Sequence, residues 1–266
     1  MMRMSIALCA LACMGLMAAP DGSGKADKPS RGVLCLTFDD RHFANWLRAR
    51  AVFRKHGAHA TFFVHGAIDE QAAAAMKALR DDGHSLGLHG LKHARAASSL
   101  EKLGAEGYRA AEIAPQLDAA RAHGLTIRNW GYPMSQRNAA TDALLGRDFA
   151  RMRTGCAWRK GKLADDPMKS HDELFVPVAE APGRKLFFGT SVPSCAEGWL
   201  EDVTGALERA RDRDEALVLY AHDITSDDAK KDPHNITRGQ LDAILSRAAA
   251  LGVPVIGFDE LDSVRR

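Results

Sequence analysis

The chain has 266 residues, 46% hydrophobic and 26% charged, a composition ordinary for a globular protein with a full core. Lysine plus arginine is 36 against 34 acidic residues. That balance lacks the basic excess on which a nucleic-acid binder relies, so nucleic acid is not an expected partner.

The first element reads as a leader. Arg3 precedes Ser5 to Ala19, which is almost wholly small and apolar, the pattern of a secretory signal over residues 1–20. It is too short for a stable membrane span, and the expected location is periplasmic or extracellular. Lipid anchoring at Cys13, after Ala10-Leu11-Ala12, is the alternative. Residues 21–30 are rich in Gly, Lys, Asp, Pro and Ser and read as a flexible lead-in. One folded domain is then expected over residues 31–266. Without the leader, Cys35, Cys156 and Cys195 remain. Cys35 reads as a small buried apolar residue, and Cys156 with Cys195 as a candidate disulfide in an exported protein.

Strand-like and helix-like segments alternate from there. Residues 33–38 read as a buried strand and 43–55 as an amphipathic helix. A strand over 60–64 precedes an Ala-rich helix over 70–80, and 84–88 is a short third strand. Residues 100–122 read as helical, with Pro115 as the break. A strand over 126–131, a helix over 139–145 and a strand over 149–154 follow. Weaker strand patterns lie at 174–178 and 185–189, among Pro- and Gly-rich loops. A helix over 199–211, an apolar strand over 216–221, a helix over 238–251 capped by Thr237, and a last strand over 253–257 complete the chain. Seven or eight parallel βα units in one domain predict an α/β fold, which suits a (β/α) barrel better than its alternative, an open parallel sheet.

The polar residues gather at strand ends. Asp39 and Asp40 follow the first strand, His65 the second, His89 the third, Tyr132 the fourth, and His222 the strand 217–221. A (β/α) barrel places its chemistry at those C-terminal ends. Asp40 with His89 and His93 makes a three-ligand set with open positions, which suits a divalent metal. Two histidines and one carboxylate also suit a non-haem iron centre, though the second aspartate argues for hydrolysis. Asp39, beside such a metal, is the candidate general base that takes a proton from attacking water. His222, at the end of an apolar strand, is the candidate general acid.

Thr37-Phe38-Asp39-Asp40, the stretch from His84 to His93, and Leu217-Val218-Leu219-Tyr220-Ala221-His222 resemble three motifs of the polysaccharide deacetylase family, carbohydrate esterase family 4, in order and spacing. Residues 60–64 resemble the family's second strand, and 237–261 its last βα unit. The resemblance implies a distorted (β/α) barrel of seven or eight strands. It implies metal-dependent removal of N- or O-acetyl groups from a polysaccharide or oligosaccharide. Zinc is the expected metal, with cobalt, nickel and manganese as other divalent ions. By the same resemblance Asp39 matches the base, Asp40, His89 and His93 the metal ligands, and His222 the acid. A backbone N–H near Tyr132 is implied as the oxyanion donor.

Two positions depart from the pattern. Arg41 follows the Asp-Asp pair where the family often has Gly. The stretch Asn129-Trp130-Gly131-Tyr132-Pro133 lacks the arginine that orients the base. Arg153, on the fifth strand, is the candidate replacement. No carboxylate is placed by spacing to orient His222, which is a further departure; Asp165 or Asp166 would serve only by folding back. Trp130, Tyr132 and Trp158 are candidates to line a sugar-binding groove, since aromatic faces stack on pyranose rings. Two further readings follow: a hydrolase of the same fold acting on a small non-glycan amide, and a carbohydrate-binding protein that has lost turnover.

Overall fold

The computed structural model describes residues 32–156 and 167–264. The leader, the lead-in, Cys13, Trp158, Asp165 and Asp166 lie outside those residues.

Seven strands run parallel: β1 (Val33–Asp40), β2 (Thr61–Val64), β3 (Ser85–Leu88), β4 (Asn129–Gly131), β5 (Arg151–Gly155), β7 (Leu186–Ser191) and β8 (Glu215–Ala221). Pairing of β8 with β1, from Val33↔Ala216 to Phe38↔Ala221, closes them into a barrel. Strand β6 (Phe175–Pro177) runs antiparallel to the lower half of β8, while β7 meets β8 only at Thr190↔Leu219 and Ser191↔Tyr220. The barrel is therefore distorted at one seam. Helices α1 (Phe43–His56), α2 (Glu70–Asp81), α5 (Ala139–Leu145) and α6 (Trp199–Arg213) lie between the strands in sequence, and α7 (Arg238–Ala250) follows the last of them. Among the described residues no helix is long and apolar enough to cross a membrane.

The two-residue period of each strand sorts its side chains. On β1, Leu34, Leu36 and Phe38 join the large core that includes helix residues Trp46, Phe53 and Leu241. Val33 and Cys35 face the barrel interior with Phe63, Phe187 and Val218. Continuing that alternation points Asp39 inward at the top of the barrel. The same rule turns Arg151 and Arg153 of β5 inward and Met152 outward. At the bottom, a short 3-10 turn (Phe258–Asp262) plugs the barrel: the Phe258 N–H donates to Thr61 at 2.9 Å and Asn129 donates to Asp259 at 3.0 Å.

Three expectations are corrected. Residues 253–257 form no strand. Val255 makes a single bridge to Leu34, flanked by Leu34 N–H to Pro254 O and Ile256 N–H to Leu34 O, each 2.9 Å. Pro254 has no N–H to extend the ladder, and from Thr37 onward that edge of β1 is taken by β2. The helical stretch 100–122 is broken before Pro115. Helix α3 (Ala96–Tyr108) kinks at Gly104 and passes through a π turn (Arg109–Ile113) into α4 (Ala114–Ala122), where Pro115 sits in the first turn. A proline needs no helical N–H there. Finally, Cys35, Cys156 and Cys195 are thiols, so the expected disulfide is not formed. Cys156 follows β5 in a pocket wall, whereas Cys195 is exposed on the loop before α6.

Among the buried polar groups, His84 sits against core rings. The His84 ring lies 4.8 Å from Phe53 and 5.2 Å from Phe62, edge to face. Its Nδ1 accepts the Ala60 N–H at 3.0 Å, and its buried Nε2 has no partner. Burial pushes this imidazole down to about 4. The unfolded chain binds the proton below its ordinary value of 6.5 and the folded chain does not. Stability from this group is therefore complete above that value. It falls by roughly 1.4 kcal/mol per pH unit as the pH drops toward the folded value. Urea unfolding of His84→Gln, compared at pH 7.5 and pH 5, should show a shallower loss on acidification than the parent chain; parallel losses would exclude this role.

Candidate metal centre and its pocket

The C-terminal ends of the strands open into a cavity of about 400 Å³ whose lining includes Asp39, His89, His93, Arg153, Tyr220 and His222. Asp39, His89, His93, Arg153 and His222, read from the sequence as functional, converge there, with Asp40 beside the two histidines. Asp39 and Asp40 come from the end of β1, His89 from the end of β3, and His93 from the loop beyond it.

The two imidazoles face each other, with His89 Nε2 and His93 Nε2 3.1 Å apart. Asp40 Oδ1 lies 3.9 Å from the first and 3.6 Å from the second. These three donor atoms form a group that could hold a metal ion. The His89 Nδ1–H donates to the Gly131 carbonyl at 2.8 Å, which fixes the tautomer and leaves Nε2 as the ligand nitrogen. Burial pushes His89 down to about 4, so it is neutral, as a metal ligand must be. A donor set of two imidazole nitrogens and one carboxylate oxygen, with an open side toward the pocket, fits zinc and similar divalent ions.

Strain marks the same residues. Asp40 and His93 are non-glycine residues at positive φ, 83° and 54°. The left-handed region is costly for such residues and collects at functional sites.

Asp39 is buried, and its Oδ2 lies 4.0 Å from His89 Nε2. Burial by itself would raise this carboxyl, but Arg153 and then His89 and His222 hold it below the ordinary carboxylate value. Arg153, also buried, donates to Asp39 Oδ1. Its guanidinium lies 5.1 Å from the Phe63 ring centre and 4.7 Å from that of Tyr220. The interior needs Gly131 to admit this arrangement: a Cβ there would stand 2.9 Å from Phe63 Cγ and 3.0 Å from His89 Nδ1.

His222 is half-buried, and its Nδ1–H donates to the His234 carbonyl at 3.2 Å. Among the described residues its orienting partner is thus a backbone oxygen. The neighbouring Asp223 turns elsewhere, accepting from Asn45 at 2.7 Å with His42 Nδ1 at 3.6 Å. His42 in turn lies 3.9 Å from the free oxygen of Asp40, and these two carboxylates, Asp40 first, raise its affinity for a proton.

Two sugar-contact expectations change. Trp130 does not line the pocket. It is fully buried, 5.2 Å from Phe149, because β4 turns Asn129 and Gly131 inward and the residue between them outward. Tyr132 touches the pocket, yet its hydroxyl donates to Asp142 at 2.7 Å and its N–H to the Arg153 carbonyl at 2.8 Å. That amide is committed and is not an oxyanion donor. The pocket wall also includes His234, Met134 and Ser135, which sequence reasoning missed. These sit on irregular loops where no period singles them out. Tyr220 was in principle legible, as the inward residue before His222.

Residues 26–147 match the family model described as polysaccharide deacetylase. The match includes Asp39, Asp40, His89 and His93 and ends before Arg153 and His222. Among solved structures, the peptidoglycan deacetylase PdaC from Bacillus subtilis is 16% identical, with 89% of this chain and 93% of that one covered and a TM-score of 0.53. A family 4 carbohydrate esterase from Streptomyces lividans, in complex with acetate, is 17% identical over 85% and 92% of the two chains, with a TM-score of 0.54. A mutant of BA3943, a CE4 family pseudoenzyme with restored enzymatic activity, is 17% identical over 90% and 70%, with a TM-score of 0.52. At these identities the likeness is one of fold. No protein of curated function matches the chain.

The buried pair makes a direct prediction. Arg153→Met, which strands a carboxylate in the barrel, should lower unfolding free energy by about 3–5 kcal/mol at neutral pH. Adding Asp39→Asn should return part of that loss, because the uncompensated charge is gone. Urea denaturation of the parent, both single variants and the double variant measures the coupling; strictly additive losses would show that the two side chains do not interact.

Proposed function

We propose that this chain, a relative of the polysaccharide deacetylases (carbohydrate esterase family 4) through its residues 26–147, is a metal-dependent hydrolase that removes N- or O-acetyl groups from an acetylated carbohydrate. One observation carries the reading: the convergence of the donor atoms of Asp40, His89 and His93, beside a buried Asp39 paired with Arg153.

Asp40, His89 and His93 would hold the ion, with zinc the best match to the donor set. When bound, a divalent ion there polarises the acetyl carbonyl and lowers the pKa of a water molecule. The roles of the chain's own residues follow from their placement. Asp39, kept ionised by Arg153, accepts the proton of the water that attacks the carbonyl carbon. Arg153 fixes the carboxylate through one oxygen and leaves Oδ2 on the His89 side for that proton. His222 is held through Nδ1, so its Nε2 is the nitrogen that protonates the leaving nitrogen or oxygen of the sugar. The pocket is roomy enough for an acetyl group and part of a sugar ring.

The reading as a binding protein without turnover leaned on the arginine missing from residues 129–133. A charge supplied to Asp39 by Arg153 favours the hydrolase. The signal-like stretch from Ser5 to Ala19 supports export, with the substrate met outside the cytoplasm and the folded domain beginning near residue 31.

The test is acetate release by the protein across a panel of acetylated glycans, with zinc or cobalt and with chelator. Release should require the metal, and Asp39→Asn should reduce turnover by about 10²- to 10⁴-fold while the ion still binds. His222→Ala should lower turnover by a similar order, most on substrates with poor leaving groups. A metal-loaded protein that frees acetate from no glycan would overturn the proposal.

A further inference from the structure

The ligand loop of the metal centre is anchored from outside the barrel by one helical segment. Gly90 and His93 both lie at positive φ, 82° and 54°. A loop so bent needs partners for its amides. The Lys92 N–H donates to Oε2 of Glu112 at 2.8 Å, and the Leu91 N–H donates to the main-chain carbonyl of the same Glu112 at 3.1 Å. Glu112 is only 2% exposed. The loop presses directly on it: a Cβ on Gly90 would stand 3.1 Å from Oε2.

The segment supplying Glu112 is the π turn between α3 and α4. There the Ala114 N–H reaches back five residues to the Arg109 carbonyl. Such turns are rare and occur frequently at functional sites. One helical turn onward, fully buried Gln116 donates to the Val64 carbonyl at 3.2 Å and the Gly66 carbonyl at 2.8 Å. Gly66 in turn donates to the Gly90 carbonyl at 3.1 Å. Glu112 and Gln116, four residues apart and on one helix face, thus hold the loops after β3 and β2 together. Neither residue has a part in the chemistry described above, and neither touches the pocket.

We propose that Glu112 is a positioning residue for the metal centre: its carboxylate and carbonyl hold the backbone of Leu91 and Lys92 so that His93 meets His89 and Asp40. The loop requires a hydrogen-bond acceptor at Oε2, since the partner is a backbone amide. The inference rests on the metal reading of this site.

Metal affinity, by competition of zinc with a chromophoric chelator, and the visible spectrum of the cobalt-loaded protein provide the first readouts. Hydrogen exchange at the Leu91 and Lys92 amides of the metal-free protein provides the second. Glu112→Leu should weaken metal binding by about 10- to 100-fold, distort the cobalt spectrum and speed exchange at both amides. Glu112→Gln, which keeps an acceptor, should bind as the parent does. Glu112→Asp keeps the charge but falls a methylene short of the Lys92 N–H, so it should behave like Glu112→Leu and decides the matter if the leucine variant does not fold. Tyr108→Phe, which removes a buried hydroxyl without a partner near the same turn, should change neither readout. Parent-like affinity and exchange in Glu112→Leu or Glu112→Asp would overturn the proposal, as would a loss in Glu112→Gln equal to that in Glu112→Leu. A parent protein that binds no metal overturns the metal reading instead, and the exchange comparison still decides whether Glu112 holds the loop.

Discussion

The ion pair of Arg153 with Asp39 at the mouth of the barrel is the constraint around which the interior is arranged. Two charges buried this far from water are stable only as a pair with further contacts. The guanidinium meets one carboxylate oxygen and two aromatic rings, those of Phe63 and Tyr220. These come from β1, β5, β2 and β8, so one interaction ties together strands from around the barrel. Without the guanidinium, a buried carboxyl would take up a proton and cease to be a base. Without the carboxylate, a large cation would be stranded among apolar side chains. The small Gly131 on the neighbouring strand is a consequence, since any side chain there would displace Phe63 or His89.

Around that pair the site combines a rigid floor with strained loops. His89 is held by its strand and by the Gly131 carbonyl, while Asp40 and His93 reach the same point only through left-handed backbone. Backbone of that kind persists where surrounding structure over-determines it. The buried polar groups of the α3–α4 segment do so here for the loop that carries His93. Three nitrogen and oxygen donors are thereby brought to one place before any ion is present, which lowers the ordering that binding would require.

Much of this was legible in residue order. The alternation of apolar and polar positions placed Asp39, His89 and His222 at strand ends, and the spacing of His89 and His93 singled them out as candidate ligands. Helix α5 was readable to the residue over 139–145, and in the structure Asn138 caps it and Gly146 ends it. Arg153 was recognisable only as a candidate, since a charge missing from β4 is restored from β5, across a strand pair rather than along the chain. Trp130 misled for a related reason: its type suggests sugar stacking, but the period of its strand turns it outward. The stretch 253–257 looked like a strand by composition, and Pro254 together with the partner already on β1 prevented one.

By itself the amino-acid sequence determined the barrel's repeating units, the inward and outward faces of each strand, and the identity of the three metal-ligand candidates. Those follow from local periods of two and from short spacings, which need no knowledge of distant segments. The tertiary structure decided which charge meets Asp39, which backbone oxygen orients His222, and which helix holds the His93 loop. Each of those depends on contacts beyond the reach of a local period, 12 positions for His222 and His234 and 114 for Arg153 and Asp39. Such contacts are set by the closure of the barrel and the packing of helices on it, and no local pattern encodes them.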